Sequence, residues 1–201
     1  HQAIQPGAAR LSRLRYVVFG GEALQLNVLR PWVEKYGDAH PQLINMYGIT
    51  ETTVHVSFQR VTKDMIESVA KSVIGKTIPD LHAYVLDQHQ QLVPLNVPGE
   101  LFIGGAGLAR GYLNRDDLTK QRFIPNPFCT EEERVLGRND RLYRTGDLVK
   151  WMADGSLEYL GRIDQQVKIR GFRIELGEIE SVLRSVEGVH DAVVIADEDV
   201  R

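Results

Sequence analysis

The apolar positions of the chain change rhythm twice. Near the start, Tyr16-Val17-Val18-Phe19 is a compact β-branched and aromatic run halted by Gly20-Gly21, which predicts a buried strand ending in a tight turn. Leu26, Leu29, Val33 and Tyr36 then keep helical spacing, and Gly37 supplies a stop. Pro31 lies inside that pattern, so a kink or two short helices are expected instead of one straight rod. Leu43 to Tyr47 reads as a second strand, again closed by a glycine, Gly48. Two strands around a helix, each running into a Gly-bearing loop, predict α/β layering with chemistry at the strand ends.

The middle of the chain is punctuated differently. Val73-Ile74, His82 to Asp87, Leu92-Val93 and Glu100 to Ile103 are short strand-like runs separated by Pro79, Pro94, Pro98 and Gly99, the rhythm of a small antiparallel sheet or distorted barrel. Asp116 to Phe123 reads as a short helix capped by Asn114 or Asp116. Leu142 to Arg144, Leu148 to Trp151 and Leu157 to Leu160 return to strands, with Asp154-Gly155 as a hairpin turn. After Gly161 the pattern changes again. Val167-Lys168-Ile169-Arg170 alternates apolar and basic, and Gly171 turns it into Phe172-Arg173-Ile174, a half-exposed hairpin with a basic face. Leu176, Ile179, Leu183 and Val186 mark one face of an amphipathic helix, acidic at its start through Glu178 and Glu180, and Ala192 to Ile195 reads as a strand. Hairpin, helix and strand look like the opening of a small α+β domain.

Composition narrows the classes without choosing among them. With 201 residues, 43% hydrophobic and 25% charged, the chain can bury a sizeable core without disulfide or metal staples. The formal net charge of −3 argues against bulk nucleic-acid or membrane-surface binding, which calls for a basic excess. A single cysteine, Cys129, excludes an internal disulfide framework. No apolar run approaches a membrane span, and no signal peptide opens the chain. A start at His1 and a stop at Arg201, just after a strand-like run, lead us to expect a piece of something longer.

Several familiar motifs fail. Gly75-Lys76-Thr77 ends like a phosphate-binding P-loop, but Ala70 stands where its first Gly belongs. Gly105-Ala106-Gly107 lacks the third glycine of a dinucleotide fingerprint, since Arg110 stands there. The six histidines show no metal spacing, and no Gly-x-Ser-x-Gly elbow is present. Three segments keep their interest. Asn45 to Thr53 packs hydroxyls, an aromatic ring and a carboxylate directly after a strand: donors for phosphate and a ligand for Mg²⁺, or a plain polar cap. Arg144-Thr145-Gly146-Asp147 sets an acid in a Gly turn, suited to ribose hydroxyls or to an ordinary Asx-type turn. Gly161-Arg162-Ile163-Asp164 offers cations to a polyphosphate, or is a solvated ribbon.

Together with Gly99-Glu100-Leu101-Phe102-Ile103-Gly104-Gly105-Ala106-Gly107-Leu108-Ala109-Arg110-Gly111-Tyr112 and the run from Gly161 to Glu180, these segments form an ordered set. That set resembles the adenylation domains of nonribosomal peptide synthetases, within the adenylate-forming family, over essentially the whole chain. The resemblance implies an α/β fold: part of an α/β sheet subdomain with a small distorted β-barrel, then the start of a small mobile α+β domain. Residues 1–162 would be the C-terminal portion of the large core, and 163–201 the hinge and the opening of the lid. It implies ATP and Mg²⁺, a phosphopantetheine thiol on a partner carrier domain, an amino-acid substrate and a cytoplasmic setting. A condensation domain and a small helper protein are further implied partners, with no nucleic acid and no membrane. Tyr47 matches the aromatic that stacks on adenine and Asn45 the residue reading its amine, with Gly21, Glu22 and Ala23 lining the same pocket. Thr50 matches a phosphate donor and Glu51 the magnesium carboxylate; Asp147 would hold the ribose hydroxyls, Arg162 the ribose and phosphate region, with Tyr159 nearby. Thr50, Glu51 and Arg162 are the implied catalytic set, and Asp164 the hinge. Ile49 departs from the family, which commonly has Pro there, and is expected to reshape the loop locally.

The family's side-chain pocket falls here on Val18, Gly20, Met46, Val54 and His55, a set resembling the threonine-selecting pattern. His55 would bond a hydroxyl while Val18, Met46 and Val54 pack a methyl, or His55 is a wall residue only. An acyl-CoA ligase and a non-catalytic nucleotide-binding fragment are the alternatives. The family's upstream phosphate loop and downstream catalytic lysine are not in these 201 residues, so little adenylation is expected from them alone.

Overall fold

The computed structural model describes residues 13–68, 72–169 and 171–197. Strands β1 (Tyr16–Phe19) and β2 (Gln42–Tyr47) are parallel neighbours, with Val18 opposite Ile44. Between them a 3-10 turn (Leu26–Leu29) runs into helix α1 (Arg30–Tyr36), with Pro31 in its first turn, where the missing N–H is tolerated. The expected break at proline is therefore present as two short helical pieces. β3 (Ser57–Val61) pairs antiparallel with β2, and α2 (Lys63–Glu67) follows, capped by the Thr62 hydroxyl, which accepts from the Met65 N–H at 3.4 Å. Leu26, Leu29, Val33 and Ile66 from the helical pieces bury against Leu43 and Val61, covering one face of β1–β3. Burial of that size contributes about 1.5–3 kcal/mol per aliphatic side chain.

The chain continues through β4 (Ser72–Thr77), β5 (Leu81–Leu86), β6 (Gly99–Gly105), α3 (Asp116–Arg122), β7 (Phe123–Pro125), α4 (Glu131–Val135), β8 (Arg141–Trp151) and β9 (Leu157–Arg162). The nine strands join in the order β1-β2-β3-β4-β9-β8-β6-β5, with β7 added beside β8, and after the first pair every neighbour is antiparallel. Ile74 of β4, Leu157 of β9, Val149 of β8, Leu101 of β6 and Val85 of β5 all share one core. Five consecutive strands share this interior, and β4 and β5, at the two ends of the run, also contact one another, as in an open, distorted barrel. The mixed α/β class expected from the sequence holds.

Beyond β9 the hairpin β10 (Val167–Ile169) and β11 (Phe172–Ile174) forms its own two-stranded sheet, with Gly171 at φ 79° in the turn, and α5 (Leu176–Arg184) follows. Several local expectations are corrected. Ala192 to Ile195 is irregular, not a strand: among the described residues no strand pairs with it, and the Val194 N–H bonds the Glu180 carboxylate at 3.0 Å. Leu92-Val93 contributes one bridge to Leu86 and no strand. Neither Asn114 nor Asp116 caps α3; Arg115 holds that position with no side-chain cap bond. α5 ends before Val186. Arg170, part of the expected basic face, and Ala70 lie outside the described residues.

Candidate functional site

The carboxyl ends of β1 and β2 point the same way, and Gly21 to Ala23 after β1 and Gly48 after β2 line one cleft, as parallel strands favour. Its walls are Gly21, Glu22, Ala23, Asn45, Tyr47 and Tyr159, all expected from the sequence, with Met46, Gly48, Ser72, Ile74 and Lys168. The cleft is shallow and open to solvent. The turn after β2 is tight: a β-carbon on Gly48 would lie 1.8 Å from the Val54 carbonyl oxygen, so only glycine fits. Ile49 takes φ −141°, which a proline ring cannot adopt, and buries its side chain in a cluster with Phe123 and Tyr143. The departure at this position is thus a packing anchor with its own backbone geometry.

Within the cleft the polar groups have fixed orientations. Asn45 is buried, and its Nδ2 donates to the Val73 carbonyl at 2.8 Å, which leaves Oδ1 as the acceptor face of the amide. Ser72 Oγ, buried beside it, has no hydrogen-bond partner among the described residues. Tyr47 donates its hydroxyl to Asp147 Oδ2. Burial, reinforced by the Asp147 charge, pushes the Tyr47 hydroxyl well above its usual range, so it keeps its proton. Asp147 is 1% exposed; burial pushes its carboxyl up, and the Tyr47 hydroxyl and Arg162 offset this only in part. Tyr159 is pushed up to about 12, first by burial and then by Asp147.

Asp147 does not sit in a turn after a strand, as the sequence suggested, but inside the long β8. The strand is irregular there. Gly146 has φ 73°, and the β6–β8 register shifts between Glu100 and Phe102. Glu100 holds the irregularity by accepting from Arg144 Nε at 2.9 Å and from the Gly146 N–H at 3.1 Å, while Thr145 Oγ1 donates to the Leu101 carbonyl at 2.7 Å. Arg162, at the end of β9 and opposite Asp147, donates to Asp147 Oδ1 at 2.9 Å and, through Nε, to Asp164 Oδ1 at 2.8 Å. Burial lowers the Arg162 pKa, but Asp164 and Asp147 outweigh it and keep the guanidinium charged. Asp164, although desolvation lifts it, is held below its usual range by Arg162.

Glu51 belongs to a second cluster. It is 7% exposed, at the 3-10 turn Thr50–Thr52, and accepts from the Tyr112 hydroxyl at 2.6 Å and from Arg173 Nη1 at 2.8 and 3.1 Å. Burial lifts the Glu51 carboxyl, yet Tyr112 and Arg173 together hold it below its usual value. One hard carboxylate is the donor type a Mg²⁺ ion takes when phosphates and water complete its shell. Glu51 therefore fits the ion in chemistry, although its charge is here matched by Arg173. Among the described residues no cluster of three or more acidic, His or Cys side chains offers a richer metal site. Thr50 is exposed and does not line the cleft.

Gly20, Met46 and His55 come together: a β-carbon on Gly20 would lie 3.3 Å from the Met46 carbonyl oxygen and 3.9 Å from His55 Cε1. Val18 shares the β1 face of Gly20, and Val18 and Val54 are both exposed, Val54 at φ 76°. Sequence reasoning did not single out Ser72, Tyr112 or Arg173. Lys168 and Arg173 are opposite one another in the hairpin, a register that its alternating pattern could have indicated. Burial pulls the Lys168 pKa down, and Asp147 opposes this. Nothing local marks Ser72 or Tyr112.

A family model described as AMP-binding enzyme matches residues 1–113. A dimodular nonribosomal peptide synthase of Bacillus subtilis (strain 168) is 54% identical over 195 residues, covering 97% of this chain and 8% of its own length. Malpinin synthetase of Mortierella alpina is 57% identical over 188 residues, covering 94% of this chain and 2% of its own length. A solved holo NRPS protein containing adenylation and PCP domains, bound to a vinylsulfonamide inhibitor, superimposes with a TM-score of 0.79 at 34% identity, over 90% of this chain and 30% of that one. The chain thus spans a small part of the relatives it matches.

Proposed function

The chain belongs to the AMP-binding enzyme family, and from that premise we propose that it serves as part of a nonribosomal peptide synthetase adenylation domain. In this reading ATP and an amino-acid carboxylate give an aminoacyl adenylate and pyrophosphate, and the aminoacyl group passes to a carrier domain's phosphopantetheine thiol. The observation that carries it is that Asn45 and Tyr47 line one cleft, and that the Tyr47 hydroxyl leads from its wall to the buried Asp147 and on to Arg162. Asn45 Oδ1, held outward by the Val73 bond, accepts from the exocyclic amine of adenine, and the Tyr47 ring offers a stacking face. Asp147 takes the two ribose hydroxyls; Gly21, Glu22, Ala23 and Tyr159 close the walls around the nucleoside. Arg162, within reach of Asp147, places positive charge toward the phosphates, and the exposed Thr50 would offer its hydroxyl to them. Glu51 would hold Mg²⁺, which when bound neutralises polyphosphate charge. Fixed positioning then brings a carboxylate oxygen onto the α-phosphorus, with pyrophosphate as leaving group.

Residues 1–162 supply this site and 163–201 the hinge and lid in the proposal, which the separate β10–β11 sheet supports. Asp164, tied to Arg162, is the pivot. The convergence of Gly20, Met46 and His55 supports a small amino-acid pocket completed by Val18 and Val54, and its proposed substrate is L-threonine, with His55 bonding the hydroxyl. A carrier domain, a condensation domain and a small helper protein are the proposed partners. ATP–pyrophosphate exchange across an amino-acid panel, run on the protein that carries these residues, tests the reading. Strongest exchange is expected with threonine; strongest exchange with a large apolar amino acid would overturn the specificity, and no amino-acid-dependent exchange would overturn the activity. Transfer of the acyl group to free coenzyme A, with none to a carrier, would favour an acyl-CoA ligase.

A further inference from the structure

The Glu51 carboxylate has a partner that comes from 122 residues further along the chain. Arg173 on β11 reaches both Glu51 oxygens, at 2.8 and 3.1 Å, while Tyr112 holds one of them at 2.6 Å. The same hairpin docks at two other places: the Gly171 N–H donates to the Glu22 carboxylate at 2.7 Å, and Lys168 stands in the wall of the cleft. Resting on the reading of Glu51 as the cation's carboxylate, we infer that Arg173 stands in for the divalent cation. Hairpin docking and cation binding at Glu51 then exclude each other.

The reason is electrostatic. Glu51 is almost fully buried and carries one negative charge, which one guanidinium neutralises. A doubly charged cation on the same oxygens would face that guanidinium at close range, in surroundings where like charges are poorly screened. One of the two must leave. Arg173 has somewhere to go: its Nε lies 3.5 Å from Glu175 on its own segment, and Gln166 donates to that same carboxylate. Withdrawal therefore leaves Arg173 with a carboxylate it already faces and does not strand the charge. A docked state populated about nine-tenths of the time raises the apparent dissociation constant for the cation about tenfold, since only the undocked fraction can bind.

The test is Mn²⁺ binding followed by electron paramagnetic resonance, on the intact protein that carries these residues, with a non-hydrolysable ATP analogue kept below the protein concentration so that free nucleotide does not take up the ion. Hydrogen exchange of the Gly171 amide is followed in the same samples. Arg173→Gln is expected to bind Mn²⁺ about tenfold more tightly than wild type, and Arg173→Lys, which keeps the charge, to stay near wild type. Mn²⁺ with the analogue is expected to speed Gly171 exchange in the wild-type chain, and in Arg173→Gln that exchange is fast from the outset. Glu51→Gln separates the two levels. Undiminished Mn²⁺ uptake by Glu51→Gln, or no uptake by any form, overturns the cation role of Glu51 and this inference with it. Loss of uptake in Glu51→Gln, with unchanged or weaker affinity in Arg173→Gln, overturns the inference alone.

Discussion

At the scale of single residues the site depends on a few buried bonds. Tyr47→Phe removes the donor to Asp147 Oδ2 and leaves a buried carboxylate with one oxygen unserved. The expected cost is about 1.5–3 kcal/mol, read from the urea midpoint, and unchanged stability would mean that the bond is not made in solution. Asp147 carries a pH signature. Its native pKa is raised by burial above the ordinary value of 3.8, so the native state holds the proton more tightly than the unfolded chain does. Its contribution to stability is therefore present below 3.8 and declines as pH rises through the higher native value. Asp147→Asn lacks that decline, so its urea midpoint at pH 7 is expected to equal or exceed that of wild type, while AMP affinity falls about tenfold or more with the lost charge-assisted bonds. A variant that binds AMP normally would remove Asp147 from the site. Much of this residue set was named beforehand through the family resemblance, since the local pattern alone left a plain polar cap open and Asn45 and Tyr47 lie within β2 itself. Tyr112 and Arg173 were not, since each meets Glu51 only through long-range folding.

Among the elements, those with strong local signals were read well in their limits, although β1, expected to be buried, is an edge strand with Tyr16 and Val18 exposed. The β1 and β2 runs end in glycines, Pro31 divides its helix, and the β10–β11 alternation brackets Gly171, all of which act within a few residues. α4 was missed although its signal was present: Thr130 and Glu133 form a reciprocal capping box. β8 could not be read in the same way. Its Gly146 looks like a turn residue, but the neighbouring strand β6, through Glu100, absorbs the irregularity and carries the strand straight on. Gly146→Ala tests that arrangement. A β-carbon there would stand 2.8 Å from Arg162 Nη2, on a backbone with φ 73°. The substitution is expected to destabilise by about 1–2 kcal/mol or more from backbone strain alone, and to weaken AMP binding by displacing Arg162. Wild-type values for both urea midpoint and AMP affinity would show that the bulge is not needed.

For the molecule as a whole the decisive feature is curvature. Leu157 on β9 and Val85 on β5 are three places apart in the sheet order, about 14 Å in a flat sheet. Both are fully buried in one core. Leu157→Ala is expected to cost about 2–5 kcal/mol, and Val85→Ala somewhat less. Because they share an interior, the double variant should depart from additivity by about 0.5–3 kcal/mol, whereas additive losses would argue for a flatter sheet. Some properties of this protein were determined by sequence alone: that the runs ending at Phe19 and Tyr47 are strands closed by glycines, that Pro31 divides its helix, and that Gly171 turns the last hairpin. Those depend on side-chain alternation and on glycine and proline geometry, interactions that span only a few positions. Tertiary structure decided that Asp147 lies within a strand, that Ala192 to Ile195 does not form one, and that Arg173 reaches Glu51 across 122 residues. Strand pairing, burial and ion pairing depend on which groups meet in space, and no local pattern records that.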